Sequence, residues 1–233
     1  MSSVRVLFEG AGLLVVDKPA GVLVIPGRSE EAGPSLREQL EAQLRRKVYV
    51  VHRLDRDTSG ALVFALDAAV HRTLSMAFEE GRVRKRYLAL VEGRLEAPQR
   101  VELALAAGRK GRMRPARPGE EGKPSVTEVR PVERFSTASL VEAEPLTGRT
   151  HQIRVHLTAI GHPLLMDHQY ARDTPLTAAD LGGEGTQPVL ARTPLHAARL
   201  EWPALAGVAA GAVEAPLPAD MAAAIALLQM PVP

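Results

Sequence analysis

Cysteine is absent from the chain, and aromatic residues and long apolar runs are scarce. The lack of cysteine excludes a disulfide framework, thiolate zinc sites and cysteine nucleophiles, and it is typical of a reducing compartment, so we expect a cytoplasmic protein. No stretch approaches the ~20 apolar residues that a membrane span needs, and Met1–Gly10 contains no apolar run of signal-peptide length. With 45% apolar residues among 233, the chain can still bury a full hydrophobic core.

Positive charge is concentrated in one part of the chain. Eleven Lys or Arg and three acids lie between Arg82 and Arg117, a net charge of +8 in a protein whose formal net charge is +2. Such asymmetry indicates a basic surface that faces a polyanion. A solvated surface face is the alternative, but the run 109–114 has no acidic residue within it. The candidate residues for binding an RNA backbone are Arg109, Lys110, Arg112 and Arg114.

Short strand-like segments alternate with a few helical ones. Strands are predicted at Val4–Phe8, Leu13–Val16, Val48–Val51, Ala61–Ala65, Arg84–Val91, Val126–Arg134 and Ala138–Glu144. Helices are predicted at Leu36–Leu44 after a Ser35 cap, over Asp67–Glu80 before Gly81, and from His151 to Ile160 after a Thr150 cap. We therefore expect an α+β fold with a mixed, mostly antiparallel central β-sheet flanked by helices and loops.

Two further segments are predicted to lie at the surface. The helix Leu36–Leu44 has few apolar positions and should be a surface helix. The segment Ala106–Lys123 is rich in Gly, Pro and Arg and should be a surface loop. His151 and His156 could bind zinc, but no third ligand lies at a metal-like spacing, so we assign them structural roles and predict no metal site.

The polar run Val51–Gly60 lies between two predicted buried strands, where a scaffold commonly presents chemistry. Arg53 and Arg56 flank Asp55 and would favour its ionised form if it points into a cleft. A plain turn is one alternative, because Asp and Ser side chains often bond nearby backbone N–H groups. The segment also resembles the Asp-x-Asp loop of haloacid-dehalogenase-type phosphatases, which would predict a magnesium-dependent phosphatase. No downstream Gly-Asp-x-x-x-Asp magnesium loop follows.

Several motifs in order carry a closer resemblance. His52–Gly60, with the sequence HRLDRDTSG, resembles the signature of the RluA-type pseudouridine synthase family. Asp17–Gly21 is similar to that family's first motif, Lys85–Ala89 to its Lys-x-Tyr motif and Leu146–Arg154 to its third. Weaker matches at His162, Pro163, Asp167 and Tyr170, and then at Leu195–Ala197, extend the resemblance to about residues 13–202.

The resemblance implies a single pseudouridine synthase catalytic domain over 1–233 that isomerises uridine in RNA without a cofactor or metal. It implies that Asp55 is the catalytic aspartate and Arg154 its partner. Tyr87 would stack on the target uracil, and Arg53 would help to displace the base from its helix. A non-catalytic RNA-binding module is the alternative, and the presence of Asp55, Tyr87 and Arg154 together argues against it.

The resemblance also implies the partners of the protein. Its substrate would be structured RNA, either ribosomal or transfer RNA, and the protein would act as a monomer with no membrane and no obligate protein partner. Too few residues precede Asp17 for the S4 RNA-binding domain of many relatives, so recognition would depend on the catalytic domain. The chain departs from the family pattern at Met166, where a Gly is usual, and at Ala204–Leu205, where His-Pro is usual.

Overall fold

The computed structural model describes residues 3–27 and 33–230 and has the predicted α+β fold. Its β-structure is mixed and mostly antiparallel, as expected. The chain divides into two compact units, the first formed by Met1–Lys85 with Ala197–Pro216 and the second by Arg86–His196 with Leu217–Pro233. A single catalytic domain over 1–233 stays a prediction.

The first unit contains a sheet and two helices. Its strands are β1 (Val6–Gly10), β2 (Leu13–Lys18), β3 (Tyr49–Val50), β4 (Ser59–Ala65) and β14 (Gly211–Glu214), with most of β13 (Leu195–Trp202); its helices are α1 (Leu36–Leu44) and α2 (Ala68–Glu79). The strand order is β1–β2–β4–β13, with β3 paired to β4 and β14 paired to β13. All seven residues of β4 are buried, which explains why this strand is a continuous run of small and apolar residues.

The core of the first unit lies between its sheet and α2. Leu13 and Val15 of β2 contribute to it together with Val63 of β4. From α2, Val70, Leu74 and Ala77 pack onto this layer because they recur at helical spacing on one face. The Trp202 indole closes the cluster and donates its N–H to Ala209 O at 2.9 Å.

The second unit contains a second sheet with two small hairpins and two helices. Its strands are most of β5 (Arg84–Glu92), then β6 (Gln99–Glu102), β7 (Leu105–Ala107), β8 (Met113–Pro115), β9 (Val126–Arg134), β10 (Ala138–Pro145), β11 (Leu176–Thr177) and β12 (Pro188–Leu190); its helices are α3 (Gln152–Ala159) and α4 (Ala219–Leu228). The sheet order is β5–β10–β9–β6, and β7–β8 and β11–β12 form the hairpins. Short 3-10 turns occupy Arg109–Gly111 and Ala179–Leu181.

The core of the second unit includes the C-terminal helix. Met221, Ala224 and Leu228 of α4 pack with Leu90 of β5 and Leu140 of β10. The Ala-, Gly- and Pro-rich tail beyond Trp202 is therefore not a linker. It supplies β14 to the first unit and α4 to the second.

The first two helices lie where they were predicted, and a capping residue begins each of them. Ser35 and Glu38 form a reciprocal capping box, in which Ser35 N donates to Glu38 Oε2 at 2.9 Å and Glu38 N donates to Ser35 Oγ at 3.4 Å. Asp67 caps α2 by accepting from Val70 N at 2.8 Å. The prediction of a surface helix for α1 was wrong in part, because Leu36 and Leu40 are fully buried.

Two other predictions needed correction. The strand predicted at Val48–Val51 is only the two half-buried residues of β3, because it pairs with the end of β4 alone, Tyr49 opposite Ala65 and Val50 opposite Phe64. The segment Ala106–Lys123 is not an irregular loop. It contains the 3-10 turn and β8, which pairs with β7 through three residues of each strand.

Gly60 occupies a position in β4 that no other residue fits. Its φ is 111°, and a Cβ there would lie 2.3 Å from Ala197 O and 2.7 Å from Ala197 N. Both neighbours are backbone atoms of β13, so they cannot rotate away as a side chain could. The glycine at the end of the HRLDRDTSG motif is therefore required for packing of β4 against β13.

We expect Gly60→Ala to lower the free energy of unfolding by about 2–6 kcal/mol, because backbone strain at positive φ and overpacking each cost ~1–3 kcal/mol. Urea denaturation followed by circular dichroism measures it. Gly21→Ala is the matched control, since Gly21 also has positive φ, 81°, but its Cβ would meet no atom within 4 Å. Equal losses in the two variants would show that packing against β13 is unimportant.

Candidate active site

Asp55 lies on the segment that joins β3 to β4. The chain makes a turn there, with Thr58 N donating to Asp55 O at 3.2 Å. Asp55 is half-buried, whereas its neighbour Arg53 is exposed and Leu54 is buried. A turn, one of the alternatives for this run, is present, and the half-buried Asp55 lies between this turn and the buried Leu54.

A buried lysine holds this turn in place. Lys18, at the end of β2, is completely buried, and its Nζ donates to three backbone carbonyls, Pro19 O at 2.9 Å, Arg56 O at 2.8 Å and Thr58 O at 2.8 Å. An ammonium group has three donors, so these acceptors match its capacity. Two of them belong to the turn that follows Asp55. Lys18 thus binds the backbone of the turn between Asp55 and β4.

Further bonds join the same two motifs. Gly21 N donates to Arg56 O at 2.9 Å, and Arg56 Nε donates back to Gly21 O at 3.0 Å. The segment Asp17–Gly21 therefore supports the Asp55 turn through the Lys18 side chain and the Gly21 backbone. The sequence analysis included Lys18 in the motif Asp17–Gly21 but did not assign it this supporting role.

His52 anchors the other end of the turn. Its ring stacks on Phe78 of α2 with centroids 4.3 Å apart, and its Nε2 accepts from Val63 N at 3.3 Å. Burial, and to a smaller extent Lys85, lowers the pKa of His52 to about 3. The imidazole is therefore neutral at neutral pH, as its acceptor role requires, and it fixes the strand that leads to Arg53.

In the second unit, α3 begins differently from the prediction. Thr150 is not its cap, because His151 occupies the N-cap position in the left-handed conformation, φ 54°, and makes no side-chain cap bond. The Gln152 side chain organises the turn instead. Its Oε1 accepts from Thr147 Oγ1 at 2.7 Å and from Arg149 N at 3.0 Å, and its Nε2 donates to Val126 O at 2.9 Å.

Arg154 projects from α3 into a buried ion pair. Its Nε and Nη2 donate to Asp167 Oδ2 and Oδ1, both at 2.7 Å, and the two side chains are 5% and 1% exposed. Nη2 also donates to Gln169 Oε1 at 3.1 Å. The Arg154 guanidinium lies over the Tyr170 ring, with its Cζ 4.9 Å from the ring centroid. The sequence noted Asp167 and Tyr170 but did not connect either of them to Arg154.

His156, two residues after Arg154 on α3, has the structural role that the sequence predicted. Its Nε2 lies 2.8 Å from Ser125 Oγ, which donates to Leu103 O. Burial lowers its pKa, so it too is neutral at neutral pH. Within residues 3–27 and 33–230, no group of three or more His, Asp or Glu is arranged to hold a metal ion.

The remaining candidate residues also lie in the second unit. Tyr87 is on β5, opposite Ala143 of β10, and is 8% exposed. The basic run occupies the tip and second strand of the β7–β8 hairpin, which we call the basic hairpin (Leu105–Pro115). Of its four cations, Arg109, Lys110 and Arg112 are exposed.

The fourth cation of the basic hairpin differs from the other three. Arg114 binds Glu120 through two hydrogen bonds of 2.7 Å each, and this lowers the pKa of Glu120 to about 2. No acidic residue lies within the run 109–114, but Glu120, which follows it, pairs with Arg114. The charge available to a polyanion comes from the other three residues.

Comparison with known proteins identifies the family of the chain. A family model described as RNA pseudouridylate synthase matches residues 12–159, more than half of the chain. The chain belongs to the RNA pseudouridylate synthase family, as its resemblance to the RluA-type enzymes predicted. Among curated proteins it is 39% identical over 226 residues to the ribosomal large subunit pseudouridine synthase D of Nitrosomonas europaea, covering 94% of this chain and 63% of that protein. It is 40% identical over 210 residues to the ribosomal large subunit pseudouridine synthase C of Escherichia coli K12, covering 84% and 61%.

Solved structures agree with this assignment. The human RNA pseudouridylate synthase domain containing 4 has a TM-score of 0.76 at 25% identity, covering 98% of this chain and 94% of that one. The human RNA pseudouridylate synthase domain containing 1 has a TM-score of 0.70 at 26% identity, covering 99% and 96%. The chain spans less than two thirds of the length of the curated relatives it matches. In the part of the chain that the structure describes, no helix is long and apolar enough to cross a membrane.

We expect Asp167→Asn to lower the free energy of unfolding by about 3–5 kcal/mol, because it leaves the buried Arg154 guanidinium without a counter-charge. Urea denaturation measures the loss. Glu214→Gln is the control, since it removes one partner of the exposed Arg199–Glu214 pair, whose acid is 69% exposed, and should cost under ~1 kcal/mol. Similar losses in both variants would mean that the buried pair carries no special weight.

Proposed function

We propose that the protein is an RNA pseudouridine synthase that isomerises uridine in the RNA of the large ribosomal subunit. The observation that carries this proposal is the match of the family model over residues 12–159, a range that includes the Asp55 turn and all three supporting motifs. The curated relatives are named for the large ribosomal subunit, which favours ribosomal over transfer RNA.

The reaction is a rearrangement in which no atom is gained or lost. The bond between ribose C1′ and uracil N1 breaks, the base turns within the site, and C1′ bonds to C5. The proton lost from C5 is balanced by one gained at N1, so the overall change needs no external oxidant, reductant or group donor. We therefore propose a cofactor-free enzyme. Separately, we propose that it acts as a monomer, and the lack of cysteine favours a cytoplasmic location.

Asp55 is proposed as the catalytic residue. A carboxylate can attack the sugar, add to the uracil ring or take a proton from the ribose, and each route needs an ionised, firmly held group. The local structure supports this requirement, because the Lys18 ammonium and the His52 ring fix the two ends of the turn that carries Asp55. Such rigid support is what a catalytic group requires of its surroundings.

Three other residues are proposed to handle the substrate. Arg53 is exposed beside the buried Leu54, which suits a side chain that helps to displace the target base from its helix. Tyr87 would stack on the uracil, an interaction worth ~1–3 kcal/mol per base. Arg154 would bind the substrate, and its bidentate pairing with Asp167 fixes the orientation of its guanidinium.

The basic hairpin is proposed to bind the RNA backbone. Arg109, Lys110 and Arg112 are exposed there, while Arg114 is committed to Glu120. Lys and Arg side chains on a short protruding hairpin can follow phosphates without reading sequence, and phosphate contacts position a nucleic acid rather than specify it.

We expect Asp55→Asn to reduce pseudouridine formation by about 10²–10⁴-fold, because the amide keeps the shape of the side chain but loses its charge and basicity. RNA affinity should be nearly unchanged. The measurement is pseudouridine mapping after incubation with unmodified large-subunit ribosomal RNA, with transfer RNA in parallel and with a chelator in one arm. Asp57→Asn, two residues away in the same turn, is the matched control and should retain activity.

The arms of this experiment separate the alternatives. Activity of Asp55→Asn within tenfold of the wild type would exclude Asp55 as the catalytic residue. Modification of transfer RNA alone would overturn the ribosomal assignment. Activity lost in the chelator arm would indicate a metal-dependent reaction, and RNA binding without any modification would indicate a non-catalytic binding module.

We expect the triple variant Arg109→Gln, Lys110→Gln, Arg112→Gln to reduce the slope of log affinity against log salt by about 2–3, because each lost phosphate contact removes ~0.7–0.9. The rate at saturating RNA should stay close to that of the wild type. Adding Arg114→Gln should change the slope little further, since Arg114 is bound to Glu120.

The matched control removes the same charge from paired arginines. Arg46, Arg82 and Arg100 are exposed and form ion pairs with Glu9, Glu80 and Glu128. Changing all three to Gln should leave the salt slope nearly constant. An equal fall in slope in both triple variants would mean that net charge matters and the basic hairpin does not.

A further inference from the structure

The Tyr170 hydroxyl joins the basic hairpin to the start of α3. Met113 N, at the first residue of β8, donates to Tyr170 Oη at 2.7 Å. The same oxygen lies 2.8 Å from His151 Nδ1, directly before α3. A phenol has one donor and can also accept, so both contacts can be satisfied at once.

The rest of Tyr170 is fixed to Arg154. The guanidinium lies over its ring at 4.9 Å, a distance typical of a cation–π interaction. Tyr170 N donates at 3.3 Å to Asp167 Oδ1, which itself accepts from Arg154 Nη2. The His151 ring meets the tyrosine ring edge to face, with centroids 5.6 Å apart. Tyr170 therefore has a ring tied to Arg154 and a hydroxyl tied to β8.

The basic hairpin needs such a tether. Only three residues of β7 pair with three of β8, and a two-stranded hairpin of this size is marginal by itself in water. Its tip is strained as well, since Lys110, which is not a glycine, has a positive φ of 53°. The bond to Met113 holds β8 close to its tip, next to the exposed Arg112.

We propose that Tyr170 is a positioning residue that holds the basic hairpin in register with Arg154, so that RNA phosphates bound by the hairpin are aligned with the substrate-binding arginine. This inference rests on the proposed function for the roles of the hairpin and of Arg154. Tyr170 itself touches neither substrate nor phosphate in this scheme. Its hydroxyl holds the basic hairpin at Met113, and its ring packs against Arg154, so the hairpin and Arg154 keep a fixed relative position.

Tyr170→Phe tests the proposal because it keeps the ring under Arg154 and removes only the hydroxyl. We expect KM and the RNA dissociation constant to rise by about two- to tenfold, the range that the loss of a typical hydrogen bond gives, while the rate at saturating RNA is unchanged. Hydrogen exchange at the Met113 amide in the free protein should become faster. Tyr49→Phe, in the first unit, is the control and should behave as the wild type in all measurements.

Each outcome decides the proposal. A purely structural role would lower the melting temperature and the active fraction without raising KM. Unchanged exchange at Met113, or faster exchange with unchanged RNA affinity, would overturn the positioning role while the proposed function stands. If the wild type binds RNA but forms no pseudouridine, the proposed function fails, and weaker RNA binding by Tyr170→Phe would still support the tether.

Discussion

The burial of the Lys18 ammonium is the constraint on which the arrangement of the first unit depends. A charged group without solvent is costly unless every donor finds an acceptor, and here the acceptors are carbonyls of Pro19, Arg56 and Thr58. The turn after Asp55 must therefore close over the end of β2, or the cation is left unsatisfied. This one requirement couples two motifs about 40 positions apart in sequence and fixes the backbone on which Asp55 lies.

A second buried charge has the same effect in the second unit. Arg154 and Asp167 are almost completely enclosed, and their two hydrogen bonds leave little freedom to either side chain. Asp167 also accepts from the backbone N–H groups of Gln169 and Tyr170, so the pair organises the turn that follows it. Buried ion pairs contribute little net stability, but they restrict the orientation of both side chains. They are therefore useful where a side chain has to be held in one orientation. The two units thus use the same physical device around different residues.

The elements that sequence reasoning predicted correctly are those with local signals. The side chains of Ser35 and Glu38 define the start of α1, the Asp67 side chain defines the start of α2, and Gly81, with a positive φ of 69°, follows the end of α2. The prediction for the start of α3 was wrong because the Gln152 side chain, not Thr150, forms the hydrogen bonds that organise the turn. Two of its partners, Val126 and Thr127, lie on β9, which is distant in sequence. The β7–β8 hairpin was missed because its three-residue strands have no periodicity to detect.

The candidate site shows the same division. Its residue types and their order could be read from the sequence, because each motif is contiguous. The groups that hold those motifs in place could not, since Lys18, His52 and Asp167 act on partners that only the folded chain brings near. A lone buried lysine or histidine has no distinguishing pattern in sequence. The sequence therefore indicated the residues proposed to act, but it did not indicate that Lys18, His52 and Asp167 position them.

The division of the first unit between two distant stretches of chain has a consequence for how the protein folds. Its sheet needs β13 and β14, which follow β4 by more than 100 residues. During synthesis from the N-terminus, β4 cannot pair with β13 until the intervening chain has been made. The edge of β4 that β13 covers in the folded protein stays unpaired during this time. Pairings between such distant segments are slow to form because a long loop must close first. The nascent chain is thus exposed to aggregation through β4 over this interval, and final assembly of the first unit belongs to the last stage of folding.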